Sequence, residues 1–346
     1  MNNRISIGRT TVVSGILLFA ASLLAPARAG ETVSVPTSSK PYTVASDVSG
    51  SLSIVASDAL NKVTALWAEE FRRRYPAVTI RVENKDSTAA AKALTDGTAH
   101  VAPMSRMMYN SEVQQFEKKF GYRPTSFAVA VDALVLFVHK DNPIEGLTMD
   151  EVDAIYSKIP RNGQKPFTKW GDLDLSGDWA EAPINVYGLP SASGTYAFFK
   201  DHALNRGLVG GKVLEWGEFR DGIKEQPDIA ALLQRLAEDR NGIGYGGGAY
   251  ATATVRVVPL SDNEFSPFVE ATARNVSARL YPLRRYLYIY VNQPHRKILK
   301  GNKPLSPLVR EFLRFVYSRE GQAAVLKDGY APVENWIVER AQATIK

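Results

Sequence analysis

The sequence predicts an α/β protein folded as two lobes. Strand-type and helix-type hydrophobic patterns alternate along most of its length, the order expected of a sheet covered by helices. At 346 residues the chain exceeds what one hydrophobic core usually serves. Two long apolar runs, Phe127 to His139 and Leu280 to Val291, stand where strands could cross from one core to the other.

Arg4 and Arg9 precede an apolar run from Val12 to Leu24, followed by Ala25-Pro26-Ala27-Arg28-Ala29. This is the pattern of a secretory signal with an Ala-x-Ala cleavage site, and the run is short for a membrane span. Residues 1–29 are therefore read as a signal peptide and left out of the fold. Export without any cysteine for a lipid anchor points to a periplasm closed by an outer barrier. The same absence excludes disulfides and thiol nucleophiles. The formal charge of +6 includes Arg4, Arg9 and Arg28 in a leader without acidic residues, which leaves +3 on the mature chain. So mild and interspersed a charge does not support nucleic-acid binding.

Residues 31–48 read as an extended lead-in. A strand over Leu52 to Val55 then empties into Ser57-Asp58 and a helix from Ala59 to Tyr75, with Leu60, Val63, Leu66, Trp67 and Phe71 on one face. The unit repeats: Val78 to Val82 alternates as a strand, Asp86-Ser87-Thr88 turns, and Ala89 to Asp96 forms an Ala-rich helix stopped by Gly97. Val101 to Pro103 is a third short strand, running into Ser105-Arg106. Phe127 to His139 is long and apolar enough for a buried strand, broken by Asp141-Asn142-Pro143.

Beyond that break the pattern gives a helix at Met149 to Ser157, a strand at Ile184 to Tyr187 and the turn Ser191-Ala192-Ser193-Gly194-Thr195. A helix at Tyr196 to Leu204, another at Ile229 to Glu238 and a strand starting at Ile243 to Tyr245 follow. Leu280 to Val291 crosses back, and helices follow at Pro307 to Tyr317, Glu320 to Asp328 and after Pro332. The expected domains are lobe I, from residues 42–138 plus 281–341, and lobe II, from residues 139–280.

Four of these turns carry hydroxyl or cationic residues: Ser57-Asp58, Ser87-Thr88, Ser105-Arg106 and Ser193-Gly194-Thr195. A helix N-terminus offers free N–H groups and partial positive charge, which suits an anion. Singly, each is what an N-cap requires. Four in successive α/β units, from both expected lobes, describe an oxyanion cage at the strand C-termini. Arg106 could grip two oxygens of a tetrahedral anion, or pair with a nearby carboxylate. Asp58 suits only a ligand that still carries a proton, because a carboxylate accepts hydrogen bonds and cannot donate them; that favours phosphate over sulfate. Asp86 and Asp132 are alternative acceptors, and the dipole of the following helix is an alternative role for Asp58.

In this order the chain resembles the phosphate-binding proteins of Pst-type ABC transporters. The matching pieces are Ser57-Asp58, Trp67-Ala68-Glu69-Glu70-Phe71, Asp96-Gly97, Ser105-Arg106, Asp132-Ala133-Leu134, Asp141-Asn142-Pro143 and Ser193-Gly194-Thr195. Gly242-Ile243-Gly244-Tyr245, Tyr281-Pro282-Leu283 and Ser318-Arg319-Glu320-Gly321-Gln322 complete them. The resemblance implies a two-lobed type II periplasmic-binding-protein fold with an interlobe ligand cleft, inorganic phosphate as ligand and a membrane permease as partner. It implies contacts from Ser57, Asp58, Ser87, Thr88, Ser105, Arg106, Ser193, Gly194 and Thr195. Cofactors and metals are not expected, and a monomer is. One departure stands out: four residues before Ser193, where the family usually places an arginine, this chain has Leu189. Arg161, Lys165 and Lys169 are candidate compensators, and molybdate, sulfate or an organic phosphate are alternative ligands.

A phosphatase-like enzyme is the reading from another class. Asp172-Leu173-Asp174-Leu175-Ser176 has the Asp-x-Asp-x-Ser pattern, but Thr168-Lys169-Trp170-Gly171 precedes it instead of a buried strand. No Gly-x-Ser-x-Gly elbow occurs, and His100, His139, His202 and His295 are scattered singly. Gly242-x-Gly244-x-x-Gly247 follows a helix, the reverse of a dinucleotide fingerprint, and reads as a helix stop and turn.

Overall fold

The computed structural model describes residues 34–45, 48–160, 164–204, 208–209, 212–213, 217–293 and 305–345. The expected signal peptide, Arg161 and His295 lie outside them.

Strands β1 (Gly50–Ser57), β2 (Val78–Lys85) and β3 (Val101–Met104) run parallel, with α1 (Asn61–Arg74) and α2 (Ser87–Asp96) as the connections. A 3-10 turn, Asp58–Leu60, joins β1 to α1. After α3 (Asn110–Phe120) comes the long strand β4 (Thr125–His139). The next elements are β5 (Leu147–Thr148), α4 (Met149–Tyr156), β6 (Asn185–Gly188) and α5 (Gly194–Phe199), which continues as a π-helical turn to Leu204. A short hairpin, β7 (Leu208–Val209) and β8 (Lys212–Val213), leads to β9 (Lys224–Glu225), α6 (Ile229–Glu238) and β10 (Gly242–Gly247). Strands β11 (Val255–Val258) and β12 (Leu260–Ser261), helix α7 (Ala273–Ser277) and strand β13 (Arg284–Val291) follow. The chain then forms α8 (Pro307–Val316), α9 (Arg319–Lys327) and α10 (Asn335–Ile345).

One sheet runs β2-β1-β3-β13-β4-β10-β6-β9, with β11 also on β4. Its axis is β4. From Thr125 to Ala133 this strand pairs antiparallel with β13; from Leu134 to Val138 it pairs with β10 on the other side. Burial on both faces requires a nearly continuous apolar sequence, and Val129 to Val138 is buried throughout, with Asp132 as its one charged member.

Helix α1 turns Val63, Trp67 and Phe71 inward. Phe71 meets Phe312 and Phe315 of α8 edge-on, and the Trp67 indole N–H donates to the Gly321 carbonyl at 2.8 Å. These contacts bring the C-terminal helices back onto the first βα unit.

One expectation is corrected and one element is added. Gly242 to Gly247 is not a helix stop and turn but a fully buried strand. The reason is packing: a Cβ at Gly242 or Gly244 would lie 2.7 Å from Leu236 Cδ2 or Leu232 Cδ2 of α6, so only glycine lets that helix lie on β10. Helix α3, absent from the sequence reading, buries only Phe116.

Candidate functional site

The predicted turns converge. Ser57 ends β1, and its hydroxyl is buried without a hydrogen-bond partner among the described residues. Asp58 starts the 3-10 turn; its carboxyl accepts from the Asn84 side chain and the Ile229 N–H, and burial, reinforced by Asp228, pushes its pKa above the usual range. Asp86 caps α2 by accepting from the Ala89 N–H at 2.8 Å, as its N-cap position demands. Ser87 is completely buried in the first turn of α2, and its Oγ lies 3.2 Å from Ser105 Oγ and accepts from the Ser105 N–H at 3.2 Å.

Ser193 caps α5, accepting from the Thr195 N–H at 3.2 Å. Gly194 lies so close to the two serines that an added Cβ would overlap Ser105 Oγ and Ser87 Oγ. Thr88 Oγ1 donates to the Ala192 carbonyl at 3.2 Å, a second link between α2 and the turn before α5. Between these groups is a cavity of about 250 Å³. Ser57, Asp58, Ser87 and Ser105 line it from one side of the sequence, and Ser193, Gly194 and Thr195 from the other. Larger space, about 560 Å³, opens beside Lys40 and Arg310 but contains none of the predicted residues.

Thr88 and Arg106 are not in the cavity wall. Arg106 forms a two-pronged ion pair with Glu112 of α3, both arms at 2.7 Å, and also donates to the Met107 carbonyl and to Thr88 Oγ1. Its guanidinium stacks 3.8 Å from the Tyr109 ring centroid. Both terminal nitrogens are thus occupied, the ion-pair alternative weighed for it from sequence. Asp132 is likewise engaged: its Oδ2 receives Arg285 Nε at 2.9 Å and a terminal nitrogen at 2.7 Å, and the Gly248 and Ala133 N–H groups also point to the carboxylate.

Sequence reading missed Asn84, Lys85 and Asp228, which line the cavity, and Arg285 behind Thr195. Asn84 and Lys85 sit at the end of β2, beyond the apolar positions that mark a strand. Arg285 did carry a signal: along β13 the inward positions are 285, 287 and 289, and a charge among Leu287 and Ile289 demands a partner. Leu189 is buried in the cavity wall and supplies no charge. Asp172 accepts from the Thr168 and Lys169 N–H groups in a surface 3-10 turn, a structural use of that aspartate.

Comparison with known proteins gives the family. A family profile described as the PBP superfamily domain matches residues 40–320. The phosphate-binding protein PstS of Pseudomonas aeruginosa is 48% identical over 301 residues, covering 87% of this chain and 88% of that protein. The chain belongs to the PstS family of the PBP superfamily. Another relative, the protein SphX of Synechococcus elongatus, is 29% identical over 273 residues, covering 77% of this chain and 72% of that one. Among solved structures, a substrate-binding protein from Clostridium perfringens with bound phosphate superposes with a TM-score of 0.65 at 25% identity, over 82% of this chain and all of that one. An ABC-type phosphate transport receptor from Vibrio cholerae has a TM-score of 0.59 at 19% identity, over 82% of this chain and all of that one, and shows the shared fold. The α/β type II binding-protein fold is therefore the fold of the PstS family here, and the matched family members are binding proteins, not enzymes.

Proposed function

We propose that this protein captures inorganic phosphate in the cavity between two lobes and delivers it to the permease of an ABC importer, acting as a periplasmic monomer after its signal peptide is removed. The observation that carries the reading is the meeting of hydroxyls and helix N-termini from successive βα turns around one cavity of about 250 Å³. Donors of that kind hold a tetrahedral oxyanion without chemistry being done on it. No histidine lines this cavity among the described residues, and the Asp172 motif is committed to its own turn.

Asp58 gives the site its preference. A half-buried carboxylate beside an anion is repulsive unless the ligand donates a proton, which monohydrogen phosphate does and sulfate does not. The lobe boundaries, residues 42–138 plus 281–341 against residues 139–280, put the division at the end of β4, about five residues beyond the point where its partner changes from β13 to β10. Hinge closure would desolvate the bound anion and strengthen each hydrogen bond to it.

Calorimetric titration of the stripped mature protein with phosphate, with sulfate and molybdate as competitors, tests the reading. Micromolar or tighter phosphate binding that sulfate does not displace is expected. Preference for molybdate or sulfate would replace the ligand and keep the receptor; no heat with any oxyanion would remove both.

A further inference from the structure

The cavity has an unusual charge balance for an anion site. Its charged wall residues are Asp58, Asp86, Asp228 and Lys85: three carboxylates against one ammonium. The position where the resemblance expects an arginine holds Leu189. Ser57, Ser87, Ser105 and Thr195 provide dipoles only. Some other group has to make the potential favourable to a multiply charged oxyanion.

Resting on the phosphate reading, we propose that Arg285 supplies this countercharge, acting from behind Thr195 in place of the cation absent at residue 189. Arg285 and Asp132 are directly opposite each other on β13 and β4, one step before β4 changes partner. Asp132 orients the guanidinium through Nε and one terminal nitrogen. That terminal nitrogen also donates to Thr195 Oγ1 at 3.1 Å. A hydroxyl that accepts from a guanidinium turns its own single proton away, and Thr195 faces the cavity. The other terminal nitrogen of Arg285 is buried and has no partner among the described residues, as is Nε of Arg106; it is the hydroxyl of Thr195 that carries the influence of Arg285 to the cavity wall.

Arg106 does not fill this role equally well. Glu112 takes both of its terminal nitrogens, and the hydroxyl it donates to, on Thr88, lies outside the wall. Asp132, by contrast, accepts from Arg285 through one oxygen and is itself supported by two backbone N–H groups, and the hydroxyl to which Arg285 donates, on Thr195, is in the wall. The strand position adds a mechanical consequence. Asp132 lies on β4, the strand with partners in both halves of the sheet, just before its partner changes from β13 to β10, so the anion's charge is answered close to where a hinge would bend.

The test compares phosphate affinity in the full mature protein and in three variants: R285K, R285Q/D132N and R106Q/E112Q. The double variants neutralise each pair while leaving both partners able to hydrogen-bond, so neither leaves a lone buried charge. R285Q/D132N should keep its circular dichroism spectrum and lose about ten- to a hundred-fold in affinity, the loss of one charge-assisted contact. R285K should fall between it and the native protein, since it keeps charge and loses the fork; a purely structural arginine would not rank the variants by charge. R106Q/E112Q should stay within about threefold of native. Native-like affinity in folded R285Q/D132N overturns the assignment, as does a larger loss in R106Q/E112Q. Should R285Q/D132N not fold, R285K decides alone, and undiminished affinity there overturns the assignment. Failure of the native protein to bind phosphate, sulfate or molybdate would overturn the phosphate reading and this assignment together.

Discussion

Gly194 shows how one residue can set the geometry of the site. A Cβ there would overlap the hydroxyls of Ser87 and Ser105, so the N-terminus of α5 reaches the serines at the start of α2 and just after β3 only because position 194 has no side chain. Gly194→Ala should reduce phosphate affinity at least about tenfold and, by overpacking, cost about 1–3 kcal/mol of stability; titration and urea unfolding read the two effects separately. Asp58→Asn should weaken phosphate by about 1.5–3 kcal/mol through the lost charged hydrogen bond and bring sulfate closer to phosphate in a competition assay, because the repulsion against a proton-free anion is gone.

Asp328 shows a second residue-scale effect, away from the ligand. Burial raises its pKa from the ordinary 3.8 to about 6, against the opposing pull of Lys62 and the Val63 N–H. The folded protein therefore holds a proton there that the unfolded chain has released. Its contribution to stability is full below pH 3.8 and is lost as pH rises through 6. Asp328→Asn should remove that part of the slope of Tm against pH between 4 and 6 and raise Tm at pH 7.5, the effect being moderated by the group's partial exposure.

At the scale of elements, the helix N-termini were legible because Ser57-Asp58, Ser87-Thr88 and Ser193-Gly194-Thr195 stand between an apolar strand pattern and an apolar helix pattern. Ser193 and Asp86 do cap their helices, so the ordinary N-cap role and the ligand-facing role share the same turns. What spacing cannot supply is which charges meet across the fold. Glu112 lies on α3, whose inward face is reduced to Phe116, too small an apolar stripe for the helix to be read, and with it the partner of Arg106 was lost. The strand β10 misled for the opposite reason. Its glycines look like a turn in isolation and make sense only under α6, where Leu232 and Leu236 fill the space a side chain would need. Gly244→Ala should therefore destabilise the protein by about 1–3 kcal/mol, measured as a lower urea midpoint with an unchanged m-value; no change would mean that α6 can shift away freely.

For the whole molecule, the long apolar runs were legible as the buried strands β4 and β13, while one main core runs through residues of both expected lobes. The sheet joins all of these into one structure through β4, with β13 on it up to Ala133 and β10 from Leu134 onward. The direction of pairing and the meeting of Arg285 with Asp132 depend on contacts between residues 153 apart, beyond any local pattern. The mild net charge fits the finished site, a small cavity lined by a few fixed donors.

The most direct measurement is the calorimetric titration of stripped protein with phosphate in the presence and absence of excess sulfate. A one-to-one isotherm at micromolar or tighter affinity, unmoved by sulfate, is the predicted result. An isotherm abolished by sulfate, or no phosphate heat at all, would contradict the assignment of this cavity as a phosphate site.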